Sequence, residues 1–243
     1  MFYAAVTAAA IAAPRVTTDQ SFQGQEAFVK VIAINGSPRK NFNTAQVLQK
    51  ALDGAAAQGA ETELVHLYDV DFKGCTSCFA CKLKDGKSYG KCAMRDGLTP
   101  VLERIAQADA LVLGSPIYFG RVTGEMSSFM ERLLFQYFVY SQPPASLFGR
   151  KIRTGFIYTM NVPEELMQQW NYQVHMSGNE NYLRAIFGEC ESLCCNETLQ
   201  LEDYSKYVFS YYDPEQRRER HSVLFPENCR KAFQMGERLT TTA

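Results

Sequence analysis

Residues 29 to 45 constrain this chain more tightly than any other stretch. An apolar run, Val29-Lys30-Val31-Ile32-Ala33-Ile34, opens into the polar loop Asn35-Gly36-Ser37-Pro38-Arg39-Lys40-Asn41-Phe42-Asn43-Thr44, after which the pattern turns helical. A buried strand, a hydroxyl- and amide-rich loop and a helix start together make a phosphate cradle. The first N–H groups of a helix have no intrahelical partner, and the positive end of its dipole faces the loop, so an anion binds well there. Ser37 and Thr44 supply hydroxyls, Asn43 suits an N-cap, Gly36 lets the backbone turn tightly, and Arg39 offers charge-assisted hydrogen bonds to phosphate oxygens. With one glycine and no Gly-Lys-Ser/Thr ending, the loop is neither a dinucleotide fingerprint nor a Walker motif. The same residues also serve as an ordinary turn and helix cap, so the rest of the chain must decide between the two readings.

Ala45, Leu48, Ala51, Leu52 and Ala55 recur at helical spacing up to Gly59, and Glu61 to Leu67 predicts a second strand. A long loop bearing Gly, Lys and Cys covers residues 69–97, and Leu98, Val101, Leu102 and Ile105 then share one helix face. Ala110-Leu111-Val112-Leu113-Gly114 predicts a third buried strand. It ends in Ser115-Pro116-Ile117-Tyr118-Phe119-Gly120, and Met126, Phe129, Met130, Leu133, Leu134, Tyr137 and Phe138 follow as a helical stripe. Beyond Pro143-Pro144 a fourth strand is expected near 152–159, a fifth near 190–199 and a last helix over about 214–239. The Met and Tyr of Leu166 to Tyr182 are compatible with lining a substrate pocket at the ligand site, and equally with a lid, an insertion or a packing surface.

Strands alternating with helices imply an α/β fold, a doubly wound five-stranded parallel sheet with helices on both faces and right-handed crossovers. Such sheets bind ligands where the carboxyl ends of the strands open at the topological switch point. The loops 35–44 and 115–124 should therefore meet at one cleft.

At 243 residues, 46% hydrophobic and 21% charged, the chain can bury a sizeable core. A formal net charge of -1 gives no electrostatic reason to expect nucleic acid or an anionic membrane surface as a partner. No apolar run approaches the roughly 20 residues of a membrane span. Residues 1–28 start Ala-rich without Lys or Arg before the apolar part, a poor secretory signal. They are expected to form an extension outside the main fold with no need to be ordered, leaving 29–243 as the ligand-binding domain. Eight cysteines are too sparse for a disulfide scaffold, and half of them crowd into one loop, which favours a reducing, cytoplasmic location.

The loop Pro116-Ile117-Tyr118-Phe119-Gly120 sets two aromatic rings and a string of amides just before a helix start. That suits a flat, electron-poor ring, with Tyr118 or Phe119 packing on it and N–H groups stabilising charge that develops on reduction. On Gly36-Ser37-Pro38-Arg39 with Asn43-Thr44, and on Ser115-Pro116-Ile117-Tyr118-Phe119-Gly120, the chain resembles the NADPH-dependent FMN reductase family of the flavodoxin-like fold, over roughly residues 29–240. The resemblance implies that Ser37, Arg39, Asn43 and Thr44 hold the FMN phosphate and that Pro116, Ile117, Tyr118, Phe119 and Gly120 flank the isoalloxazine. It also makes Thr159, Met160 and Asn161, after the fourth strand, candidates for closing the flavin site.

Cys75, Cys78, Cys81 and Cys92 are separated by two, two and ten residues, amid Lys73, Lys82, Lys84, Lys87 and Lys91. Such lysines favour thiolates and offset the charge of a thiolate-ligated cluster. The run is similar to that of the iron-sulfur flavoprotein branch of the family, which implies a 4Fe-4S cluster near FMN. A four-thiolate zinc site and metal-free redox-active thiols stay open beside it. Cys190, Cys194, Cys195 and Cys229 read as buried free thiols, and His66, His175 and His221 have no spacing for a dyad or metal site.

The expectation is an FMN-dependent oxidoreductase. Hydride passes from NAD(P)H to the flavin and electrons pass onward to a small-molecule or protein acceptor, through a cluster where one is present. The flavin carries the chemistry, so no catalytic acid or base is assigned. Two other readings are an electron carrier of the same fold and a cysteine-based redox or zinc sensor. Carriers of that kind are short and strongly acidic, unlike this near-neutral chain with its added segments at 163–188 and 200–240. The aromatic stretch Phe135-Gln136-Tyr137-Phe138-Val139-Tyr140 predicts a subunit contact, with Phe129, Leu133, Tyr137 and Phe138 at a homo-oligomer interface.

Overall fold

A strand that is apolar at every position must bury both faces, and a period of two sends alternate side chains to opposite sides. In the computed structural model, which describes residues 29–143 and 145–241, this is what divides the core. The expected extension at 1–28 lies outside the described residues. In chain order the elements are β1 (Lys30–Asn35), α1 (Asn43–Ala57), β2 (Glu61–His66), α2 (Leu98–Gln107), β3 (Ala110–Tyr118), β4 (Arg121–Val122), α3 (Gly124–Tyr137), β5 (Phe138–Val139), β6 (Ala145–Ser146), β7 (Ile152–Thr159), α4 (Glu164–Gln169), α5 (Tyr172–Phe187), β8 (Gly188–Cys195) and α6 (Pro214–Thr240). Ile32, Ile34, Leu111 and Leu113 point into one core, completed by side chains of α2, α3 and α5. Val31, Ala33, Ala110 and Val112 point into the other, against α1 and α6.

The five long strands are parallel in the order β2-β1-β3-β7-β8, with β4 added antiparallel to the end of β3. This is the flavodoxin-like order, whose switch point lies between β1 and β3. The register pairs Val31 with Ala110 and Asn35 with Gly114, so both strands end at the same height and their loops open side by side. On the opposite layer α1 and α6 meet through two glycines. A Cβ on Gly54 would fall 2.0 Å from the Phe233 carbonyl oxygen, and one on Gly236 would fall 1.8 Å from that of Ala51.

Three expectations are corrected here. The segment 163–188 is not an addition to the fold. It holds α4 and α5, and α5 is the crossover that a parallel β7–β8 pair requires. The fifth strand runs over Gly188–Cys195, ahead of the expected 190–199. Finally, Phe129, Leu133 and Tyr137 are buried in the chain's own core, so they cannot be the subunit contact; of the stretch 135–140, Phe135, Phe138 and Val139 are half-buried and Tyr140 is exposed.

Candidate functional site: a cleft at the strand ends and a cysteine cavity

The helix of the cradle begins at Asn43 and is not capped by it. Phe42 is the N-cap residue, with no side-chain cap bond, and the first turn holds no acidic residue. Among the described residues the N–H groups of Asn43, Thr44 and Ala45 have no acceptor, so the positive end of α1 stands uncompensated. The Asn43 side chain instead reaches across to donate to the Leu199 carbonyl at 2.6 Å. Thr44 Oγ1 and Thr159 Oγ1 share a hydrogen bond of 2.7 Å, which joins the loop after β1 to the end of β7. Ser37 Oγ accepts from the Arg39 N–H at 3.2 Å and so folds the loop back on itself. Arg39 rims the cleft, its guanidinium 3.9 Å above the Phe42 ring and donating to the Gln200 carbonyl at 2.6 Å.

The second loop is a tight hairpin. Ile117 pairs with Val122 and Tyr118 with Arg121, which leaves Phe119 and Gly120 as the two turn residues, both at positive φ (52° and 79°). Hairpin pairing takes up part of the amide string that the sequence offered for a ligand. Phe119 is fully exposed and Tyr118 nearly half so, an arrangement that leaves large apolar surface in water beside the cradle. Thr123, absent from the sequence-based candidates, ties the two loops together. Its hydroxyl donates to the Gly36 carbonyl at 2.7 Å and accepts from the Met126 N–H, capping α3. The signal was a threonine one residue before a helix start, a pattern too common to single out.

One cleft of about 440 Å³ takes in Ser37, Arg39, Asn43, Thr44 and the Pro116–Phe119 loop, with Thr159, Met160 and Asn161 beside them. Trp170 and Tyr172, from the segment whose role the sequence left open, also line it, and so do Phe209, Tyr211 and Tyr212, which sequence reasoning missed. These aromatics come from segments with no strand of their own, and only the crossover and the loop before α6 bring them to the strand ends. Uncapped amides, buried hydroxyls and exposed rings in one cleft fit a phosphate joined to a flat aromatic group.

Cys75, Cys78, Cys81 and Cys92 line a second, small cavity, closed by Arg132, Phe135 and Gln136 of α3. The loop is strained at its centre, since Ser77 and Phe79 on either side of Cys78 both lie at positive φ, 53° and 55°. Side chains of α3 hold it in place: Glu131 Oε2 accepts from the Cys75 N–H and Gln136 Oε1 from the Cys92 N–H, each at 3.0 Å. Burial pushes the Cys81 thiol up, with Lys82 opposing. Of the expected lysines, Lys82 donates to the Gln136 and Phe138 carbonyls, and Lys73, Lys84, Lys87 and Lys91 are exposed to solvent. The buried cation at the cysteines is Arg132, which sequence reasoning did not find. Its position one turn before Gln136, beside an otherwise apolar stripe, was the available signal.

No group of three or more His, Cys, Asp or Glu among the described residues converges as tightly as a single metal ion requires. The four thiols instead line one common cavity. Of the other cysteines, expected to be buried, Cys195 is buried and Cys190, Cys194 and Cys229 are half-buried; burial pushes Cys194 up to about 11 and raises Cys190, Cys195 and Cys229 as well. No helix among the described residues is long and apolar enough to cross a membrane.

Comparison with known proteins agrees with this geometry. The profile of a family described as NADPH-dependent FMN reductase matches residues 29–155. An iron-sulfur flavoprotein of Methanocaldococcus jannaschii is 38% identical over 104 residues, 43% of this chain and 51% of the relative. One of Archaeoglobus fulgidus is 41% identical over 104 residues, 43% of this chain and 48% of the relative. The chain thus spans about half the length of the curated relatives it matches. Among solved structures, an NAD(P)H:quinone oxidoreductase from Methanothermobacter marburgensis superposes with a TM-score of 0.66 at 14% identity, covering 88% of this chain and all of that one. An FMN-dependent NADH-azoreductase from Bacillus anthracis, in complex with FMN, gives 0.59 at 13% identity, over 87% of this chain and all of that one. At these identities the likeness concerns the fold.

Proposed function

The chain belongs to the NADPH-dependent FMN reductase family, and from that premise we propose that it is an NAD(P)H-dependent FMN oxidoreductase carrying a 4Fe-4S cluster on Cys75, Cys78, Cys81 and Cys92. The observation that carries the reading is the uncapped, acid-free start of α1 opening into the same cleft as the exposed Tyr118 and Phe119. In that cleft the Asn43, Thr44 and Ala45 amides and the Ser37 and Thr44 hydroxyls would bind the FMN phosphate. Tyr118 and Phe119 would cover one face of the ring system, and Trp170, Tyr172 and Tyr212 would exclude water from its edge. Bound there, FMN accepts hydride from a nicotinamide and gives up electrons singly, and a cluster stores one electron at a time.

Cluster binding is supported by the four thiols on one cavity and by the names of the curated relatives. The acceptor would be a small molecule or a protein. A homo-oligomer is proposed through the exposed Tyr140 and the half-buried Phe138 beside it, and light scattering of a Phe138→Glu, Tyr140→Lys variant tests it; unchanged mass removes that interface.

Purified anaerobically, the protein should show flavin and iron-sulfur absorption together and release FMN on heating. NADPH or NADH should bleach the flavin bands. Release of FAD, or no flavin after reconstitution, overturns the proposal; zinc in place of iron removes the redox role of the cysteines.

A further inference from the structure

The face of α3 that meets the cysteine loop carries donors that the protein itself does not satisfy. Arg132 is 1% exposed, yet only its Nη1 is engaged, donating to Asp96 Oδ2 at 2.5 Å and to the Lys73 carbonyl at 3.1 Å. Its Nε and Nη2 are buried without a hydrogen-bond partner, and so is Nε2 of Gln136. Both residues line the cavity of the four cysteines. They lie four apart on the helix and so face the same way. A buried donor left unpaired costs about 1–3 kcal/mol, more when charged. Three of them within one helical turn mark a place for acceptors that come with a ligand.

We propose that Arg132 and Gln136 grip the inorganic cluster and tune it, with Arg132 Nε and Nη2 and Gln136 Nε2 donating to cluster sulfides and cysteine thiolates while the buried guanidinium raises the reduction potential. The inference rests on the reading that Cys75, Cys78, Cys81 and Cys92 hold a cluster. A thiolate-ligated cluster is net negative and gains a further electron on reduction. Donors aimed at its sulfurs and a cation shielded from water therefore stabilise the reduced form more than the oxidised one. Arginine suits the position better than lysine: it stays charged when buried, and its planar fork can hold Asp96 with one arm while the other arms face the cavity. The exposed lysines of the loop are screened by solvent and cannot do the same. Arg132 and Gln136 are positioning residues, not ligands.

The test uses the full chain reconstituted anaerobically with iron and sulfide, in wild-type, Arg132→Met and Gln136→Met forms. Gln136→Met is close in size and removes the donor without adding a charge; the Cys92 N–H loses its acceptor with it. Both variants should show a cluster midpoint potential shifted to more negative values in an EPR-monitored titration, with the flavin potential unchanged. Both should also lose iron to a chelator severalfold faster than wild type. If Arg132→Met does not fold, the shift in Gln136→Met decides. A wild-type cluster whose potential is the same in the folded variants overturns the inference and leaves the cluster reading standing. A wild-type chain that takes up no iron and sulfide overturns the cluster reading, and this inference with it.

Discussion

Single side chains at the strand ends do two jobs that can be separated by experiment. Thr123 serves the fold: its hydroxyl donates to the Gly36 carbonyl and accepts from the Met126 N–H, both buried. Thr123→Val should leave both unpaired and cost about 2–3 kcal/mol in denaturant unfolding, a lost cap plus a stranded carbonyl. Phe119 serves the proposed ligand. It is fully exposed at the tip of the hairpin, so Phe119→Ala should change stability by less than about 0.5 kcal/mol. FMN binding, followed by flavin fluorescence, should weaken up to about tenfold, the value of one aromatic contact. Equal FMN affinity in the two proteins would remove Phe119 from the site. Ser37, Asn43, Thr44 and the 116–120 loop were legible in the sequence because strand, loop and helix follow one another locally. Thr123 and Arg132 were not, because what they bond lies far away along the chain: Gly36 for one, Lys73 and Asp96 for the other.

Elements are held by a few close contacts whose chemistry is easily removed. Glu197, at the turn after β8, is almost fully buried and accepts from Arg217 at 2.6 Å and from Arg220, both on α6. The Arg220 hydrogen bond holds its carboxyl below the usual glutamate range, against the opposing effect of burial and with help from Arg217. A carboxylate whose folded pKa is depressed stabilises the fold above its unfolded pKa, and that contribution is lost as pH falls through the folded value. Wild type should therefore lose stability on acidification below about pH 4.5 more steeply than Glu197→Gln. At neutral pH the variant should be weaker by about 3 kcal/mol, the cost of breaking a buried pair. On the same helix, Gly236→Ala would put a Cβ against the Ala51 carbonyl. Forcing α1 and α6 apart should cost about 1–3 kcal/mol and lower Tm by about 2–4 °C per kcal/mol. The α5 crossover was not legible as a helix, since its buried Met176, Leu183, Ile186 and Phe187 leave a polar gap of nearly two turns.

At the scale of the whole molecule, α3 links the two candidate sites. Its cap Thr123 bonds the cradle loop, and Glu131, Arg132 and Gln136 hold the cysteine loop eight to thirteen residues further on; Arg132 lies about 13 Å along the helix axis from the cap. The two candidate sites nevertheless use different loops. Cys78→Ser should reduce iron and acid-labile sulfide to background while FMN stays bound at wild-type stoichiometry, and loss of both together would contradict two separable sites. Cys92→Ser with undiminished iron would show that the fourth ligand lies elsewhere. By itself the sequence determined the sheet, the parallel sense of its strands and the loop that starts α1, because apolar runs buried on both faces and stripes of period 3.6 are imposed by local geometry and by burial. Only the tertiary structure decided which side of α3 faces the core, which aromatics wall the cleft and which cation meets the cysteines, because those depend on packing between segments distant in the chain.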